Sequence, residues 1–103
     1  RRQDPERHRR KSGFEGDPEA VALWERLRAL RLELAQRQNL PPYVIFGDIT
    51  LRELVQYRPR DLDEMSQISG VGAVKQERYG VAFLAALAAH AAEYGYPANR
   101  RPG

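Results

Sequence analysis

Paired prolines divide this chain. Pro41-Pro42 follow directly on a long stretch whose leucines recur at helical spacing. Proline lacks an amide hydrogen and its ring clashes with the preceding turn, so no helix runs through the pair. Upstream, Leu23, Leu27, Leu30 and Leu34 fall at 4-3-4 spacing and draw one apolar stripe, which Ala20, Trp24 and Ala35 widen. Asp17-Pro18-Glu19 supplies the start signals: an N-cap acid, a proline at the first helical position and an acid in the first turn. The pattern predicts a helix from Pro18 to about Gln38.

Beyond the prolines the elements are short. Tyr43-Val44-Ile45-Phe46 has strand propensity, but the chain offers no second strand to pair with it. A helical turn or an extended connector packed into the core is expected instead. Thr50-Leu51-Arg52-Glu53 reads as a capping box opening a helix to about Tyr57, with Leu51, Leu54 and Val55 inward. Pro59 stops it. Asp61-Leu62-Asp63-Glu64 is a second cap, starting a helix to about Gln67 with Leu62, Met65 and Ile68 inward. Ser69-Gly70-Val71-Gly72 is a tight turn, and a long helix to about Tyr94 follows. Its predicted inward face is Val74, Tyr79, Phe83, Ala86 or Leu87, and Ala91. Gly80 within it marks a kink or a close helix contact. Nothing repeats at a solenoid period. The expected fold is all-α, a compact orthogonal bundle.

A chain of 103 residues suffices for one domain. Its net charge of +3 is unevenly placed. Residues 1–11 carry a net +4 and residues 96–103 a net +2, whereas residues 12–95 hold nine Lys/Arg against twelve Asp/Glu. Residues 1–17 lack periodicity and are expected to be a flexible basic arm, 18–95 the helical domain and 96–103 a C-terminal tail. Arg1 rather than Met opens the chain, which reads as a fragment or processed form. No apolar run approaches the roughly 18 residues of a membrane span. A monomer in the cytoplasm, without membrane contact, is expected.

Little here suits local chemistry. Without cysteine there is no disulfide and no thiolate ligand. His8 falls in the arm. His90 has only Glu93 at i+3 and reads as a half-exposed helix residue. Asp61, Asp63 and Glu64 are accounted for as a cap and an acidic first turn. No Walker loop or dinucleotide fingerprint is present. No catalytic residue, metal site or cofactor is expected.

What remains suits binding. Gly70 and Gly72 precede a helix whose free amides and dipole can receive a phosphate, with Lys75 and Arg78 one and two turns on. The same glycines also suit a plain turn between packed helices. Tyr43 behind its stiffening prolines either stacks on a base or partner, or packs at the core edge with its hydroxyl outward. Arg31 lies along the leucine stripe, where an ion pair with Asp48 is expected. Arg28, Arg52, Arg58 and Arg60 are expected to be exposed, with Arg28 and Arg52 counted among the possible contacts.

Together these residues resemble the HRDC domain, the helicase-and-RNase-D C-terminal module. Leu27-Arg28 with Arg31 resembles its first-helix signature, and Leu40-Pro41-Pro42-Tyr43-Val44-Ile45-Phe46 its most distinctive segment. Asp48, Thr50-Leu51, Glu53-Leu54, Pro59, Ile68-Ser69-Gly70-Val71-Gly72, Lys75 and Tyr79-Gly80 follow in order. The resemblance covers about residues 19–94 and implies a five-helix accessory domain. Such a domain is usually C-terminal in a bacterial RecQ-type DNA helicase or, as the alternative, in RNase D. It implies a part in recruiting single-stranded or branched DNA, while ATP binding and unwinding belong to other domains of the parent. It places Tyr43 and Lys75 where such domains contact DNA, and Pro42 and Tyr79 among its structural positions. The charge of residues 12–95 departs from a basic DNA-binding face. Weak intrinsic DNA binding is therefore expected, leaving docking on the parent helicase or a protein partner as the other use.

Overall fold

The computed structural model describes residues 13–95, and the arm and tail positions 1–12 and 96–103 lie outside them. Five helices follow one another: α1 Pro18–Gln38, α2 Pro42–Ile45, α3 Asp48–Tyr57, α4 Leu62–Met65 and α5 Ala73–Tyr94. No strand occurs among the described residues. α2, α3 and α5 all pack on α1, and α4 packs on α5.

α1 begins and ends as its sequence dictates. The Asp17 carboxylate accepts the Ala20 amide at 3.2 Å. At the far end Asn39 adopts the left-handed conformation with φ 59°, and the Asn39 and Leu40 amides close back on Gln36 and Ala35. The prolines then redirect the chain, and the ambiguous 43–46 segment resolves as a helical turn with Ile45 and Phe46 fully buried. The Phe46 ring meets Phe83 at 5.0 Å and Tyr79 at 6.1 Å, both edge-on. Leu23, Leu27, Leu51, Leu54, Val55 and Met65 complete the centre of the core.

Several expectations fail for identifiable reasons. α3 starts at Asp48, so Thr50 is inside the helix and is not its cap. The apparent capping box serves a tertiary contact instead. Thr50 Oγ1 donates to the Ser69 carbonyl at 2.7 Å, and Glu53 accepts the Ser69 amide at 2.9 Å. Val74 and Leu62 are exposed rather than inward, and Ala91 is half-buried. α4 ends at Met65, two residues short of its predicted end. Residues 13–17, read as the end of the arm, form a turn whose Phe14 packs on Trp24. Gly80 does mark a close contact, since a Cβ there would lie 3.0 Å from Leu62 Cδ2.

The largest departure is a polar cluster at one end of the bundle. Arg58 is buried, not exposed, and its two terminal nitrogens take both oxygens of Glu19 while Nε donates to the Val55 carbonyl. His90 is buried, not half-exposed, with Nε2 on the same Glu19 carboxylate. A carboxylate only accepts, so Nε2 carries the hydrogen in this pair. The Arg58 guanidinium first, and His90 second, hold the Glu19 carboxyl below its ordinary value of 4.5 against the opposing effect of burial. The cluster ties the start of α1 to the ends of α3 and α5.

Two measurements test these contacts. Gly70 has φ 85°, and a Cβ there would strike Thr50 Oγ1, which is already bonded. Gly70→Ala is expected to cost about 2 kcal/mol in urea unfolding. Gly72→Ala, with φ −87° and open space around it, should stay within about 0.5 kcal/mol of wild type. Arg58→Ala strands a half-buried Glu19 charge and is expected to cost about 3 kcal/mol at neutral pH. Glu19 has a depressed folded-state pKa, so its contribution is complete above 4.5 and is lost as pH falls through the lower folded value. The acid-side slope of stability should flatten in Glu19→Gln, and an unchanged slope would contradict the assignment.

Candidate nucleic-acid and partner interface

The glycine turn is set by its neighbours. Thr50 and Glu53 grip Ser69 from α3, so Gly70 takes its left-handed conformation beside a fixed hydroxyl. That contact supplies a packing reason for this glycine. Gly72 differs. It is exposed, extended, and the N-cap of α5, with no side chain capping the first helical amides. Lys75 is half-buried and Arg78 exposed, and neither makes an ion pair among the described residues.

Tyr43 stands on another part of the surface, 70% exposed. It lines a shallow hollow with Arg31, Pro42, Gly47, Asp48 and Ile49. A second hollow, lined by Glu25, Arg28, Ala29 and Leu32, adjoins it through Arg31 and Pro42. Tyr43 and Arg28 therefore share one continuous surface. Gly70, Gly72, Lys75 and Arg78 line neither hollow. Arg52 lines neither as well, and its guanidinium lies 5.7 Å from the Trp24 ring centroid. The sequence candidates thus fall into three places rather than one.

The arginines near Tyr43 are occupied. Arg31 donates to Asp48 at 2.9 Å and to the Phe46 carbonyl at 3.0 Å. Arg28 meets Glu25 at 3.5 Å. Further ion pairs join Arg26 to Glu93 and Arg37 to Glu33. Tyr79 faces inward, its hydroxyl donating to Gln38 at 3.0 Å and its ring against Phe46.

Sequence reasoning did not single out Leu32 and Ile49, the exposed apolar partners of Tyr43. Ile49 carried a usable signal: it is a large aliphatic residue next to Asp48, the true start of α3. No cluster of three or more His, Cys, Asp or Glu suited to a metal occurs among the described residues. No helix among them is long and apolar enough to cross a membrane.

Comparison with known proteins agrees with this architecture. The chain is 49% identical over 70 residues to the ATP-dependent DNA helicase RecQ of Haemophilus influenzae, covering 68% of this chain and 11% of that protein. It is 45% identical over 69 residues to the RecQ helicase of Bacillus subtilis, covering 67% of this chain and 12% of that one. The chain thus spans only a small part of these relatives. The solved structure described as D. radiodurans RecQ HRDC domain 3 superposes with a TM-score of 0.66 at 34% identity, covering 68% of this chain and 92% of that one. The family described as HRDC domain matches residues 20–87, from the first turn of α1 to Leu87 in α5. With five helices, a buried Phe46 centre and this match, the chain belongs to the HRDC domain family.

Proposed function

We propose that this chain is a non-catalytic accessory domain of an ATP-dependent RecQ-type DNA helicase. It modulates recruitment or unwinding of the DNA substrate, and its folded part binds single-stranded or branched DNA only weakly. The RecQ relatives support a helicase parent over an RNase D parent. In this role it needs no cofactor, acts as a monomer, and works with a cytoplasmic, nucleoid-associated enzyme.

One observation carries the weak-binding part. Five of the nine cations in residues 12–95 are already held in ion pairs: Arg26, Arg28, Arg31, Arg37 and Arg58. A paired guanidinium has a carboxylate beside it, so it attracts a phosphate less and releases fewer counterions when DNA binds. Lys75 and Arg78 beside the uncapped start of α5 are the best-placed phosphate contacts. Two cations give a shallow salt dependence, with a slope of about −1.4 on single strands. The basic residues 1–11 supply additional charge.

A second use is docking on the parent helicase or a protein partner. The joined hollows around Tyr43 favour it, because Tyr43, Ile49 and Leu32 are exposed apolar side chains there and the arginines beside them are paired with carboxylates.

Fluorescent single-stranded DNA titrated against residues 1–103 and 12–95 at two salt concentrations tests the first reading. The longer form should bind at least about tenfold more tightly at low salt and lose more affinity on raising it. Tight binding by residues 12–95 at moderate salt would overturn the weak-core assignment. For the second use, deleting the domain from its parent should alter DNA unwinding even where DNA affinity is unchanged.

A further inference from the structure

Phe14 joins the folded core just ahead of α1. The Asp17 amide donates to the Phe14 carbonyl at 2.9 Å, closing a four-residue turn. Gly16, the third residue of that turn, has φ 97°, the left-handed value that a type II turn requires there. Asp17 is also the N-cap of α1. Turn and helix therefore share one residue, and the turn is built onto the helix. The half-buried Phe14 ring packs on Trp24 with the centroids 6.5 Å apart. The family match begins at Ala20, so this anchor lies outside the part of the chain that the HRDC domain family accounts for.

The anchor has a definite place on the surface. Arg52 of α3 lies over the Trp24 ring. One residue upstream of Phe14, a Cβ at Gly13 would lie 4.0 Å from Arg52 Nε. The chain therefore runs across the face shared by α1 and α3. On α1, Arg28 stands four residues after Trp24. On α3, Asp48 and Ile49 stand four and three residues before Arg52. Such spacings make neighbours on a helix surface. Arg28, Asp48 and Ile49 line the joined hollows beside Tyr43, so the anchor sits one helical turn from that surface.

The hollows lack the one thing that the upstream segment carries. Their charged lining residues, Glu25, Arg28, Arg31 and Asp48, are net neutral. Residues 1–11 carry a net +4. Arg7, Arg9, Arg10 and Lys11 are three to seven residues from Phe14, a span of at most about 25 Å at full extension. Leu32, at the far side of the hollows, is about 12 Å along α1 from Trp24. These cations therefore reach the whole surface from the anchor.

We propose that Phe14 is a positioning residue for the basic segment. Seated on Trp24, it holds the root of residues 1–11 on the α1–α3 face, so that Arg7, Arg9, Arg10 and Lys11 stand beside the Tyr43 hollows. The two parts make one surface for single-stranded DNA. Tyr43, Ile49 and Leu32 supply apolar contacts for bases. The segment supplies the phosphate contacts that the ion-paired arginines of the core do not. The inference deepens the DNA-contacting role described above and rests on it.

The full chain tests this with and without DNA. Without DNA, a nitroxide is attached at His8→Cys, the sole cysteine then present. It should broaden the amide NMR signals of Arg28, Leu32, Tyr43 and Ile49, and Phe14→Ser should disperse that broadening. Broadening centred on Asp61, Asp63 and Glu77 would overturn the proposal, as would a pattern that Phe14→Ser leaves unchanged. With fluorescein-labelled oligothymidylate at low salt, Phe14→Ser should weaken binding about fivefold, and Phe14→Tyr, which keeps the ring, should bind as wild type does. In a chain with Arg7, Arg9, Arg10 and Lys11 all changed to Gln, Phe14→Ser should have no further effect, because no charge is left to position. An equal loss in both backgrounds would make Phe14 purely structural and overturn the proposal. If the Gln-substituted chain binds oligothymidylate as tightly as wild type, the DNA-contacting role of the segment fails, and the nitroxide pattern still decides the anchor by itself.

Discussion

The Arg31 guanidinium joins three elements, and the order of the bundle follows from it. One nitrogen serves both the Phe46 carbonyl and the Asp48 carboxylate. The carbonyl belongs to Phe46, the extended C-cap just past α2, where helical partners have run out. The carboxylate belongs to the first residue of α3, where an acid also complements the helix dipole. Arg31 thus sets how the chain leaves the prolines and where α3 begins. The start of α3 in turn places Thr50 and Glu53 on one side of the helix, where both hold Ser69. Ser69 and Gly70 then deliver the chain to the first turn of α5. A single buried cation on α1 therefore propagates through short polar contacts to the helix that carries Lys75 and Arg78. Removing it would leave a buried carbonyl without its donor, which costs more than the net value of one hydrogen bond.

In the proposed role the same economy of charge limits what the folded domain does alone. Arginine is the preferred residue for both phosphate recognition and buried ion pairs, because its planar donors suit either task. Here Arg31 and Arg58 are committed to the second. Their removal from the surface stabilises helix ends, as Arg58 does for Glu19 and the Val55 carbonyl. It also withdraws them from any nucleic acid. The exposed pairs contribute little to stability, since such contacts are worth about 0–1 kcal/mol each. In the proposed role they matter more for DNA binding, because each places a carboxylate beside a cation on the outer surface.

Local patterns in the sequence reported local structure well. The Asp17 cap, the leucine stripe, the proline break and the Asp61 cap all describe contacts made within a few residues. Thr50-x-x-Glu53 shows the limit of that reasoning. The pattern has the composition of a capping box, yet its groups are satisfied by Ser69, sixteen to nineteen positions away. Arg58 and His90 fail for the same reason. Their shared partner, Glu19, is 39 and 71 positions distant. A single sequence gives the chemical type of such residues but not which of them meet. The arginine that did find its predicted partner, Arg31 with Asp48, was placed by a helical stripe that fixes its direction into the fold. No stripe constrained Arg58, which sits at the left-handed end of a short helix with φ 52°.

Division of the surface bears on how an accessory domain acts. The uncapped start of α5, with its unpaired cations, and the apolar hollows near Tyr43 share no lining residue. Contact at one leaves the other open. In the proposed role the domain is tethered to an enzyme that already holds the same DNA. Tethering converts its encounter with the strand into an intramolecular step at an effective concentration of about millimolar. Contacts too weak to form a complex between separate molecules are then sufficient, and a strongly basic face would slow release as the enzyme advances. An acidic core with two free cations beside one helix start is, on this reasoning, a suitable composition for a contact that must be made and broken repeatedly.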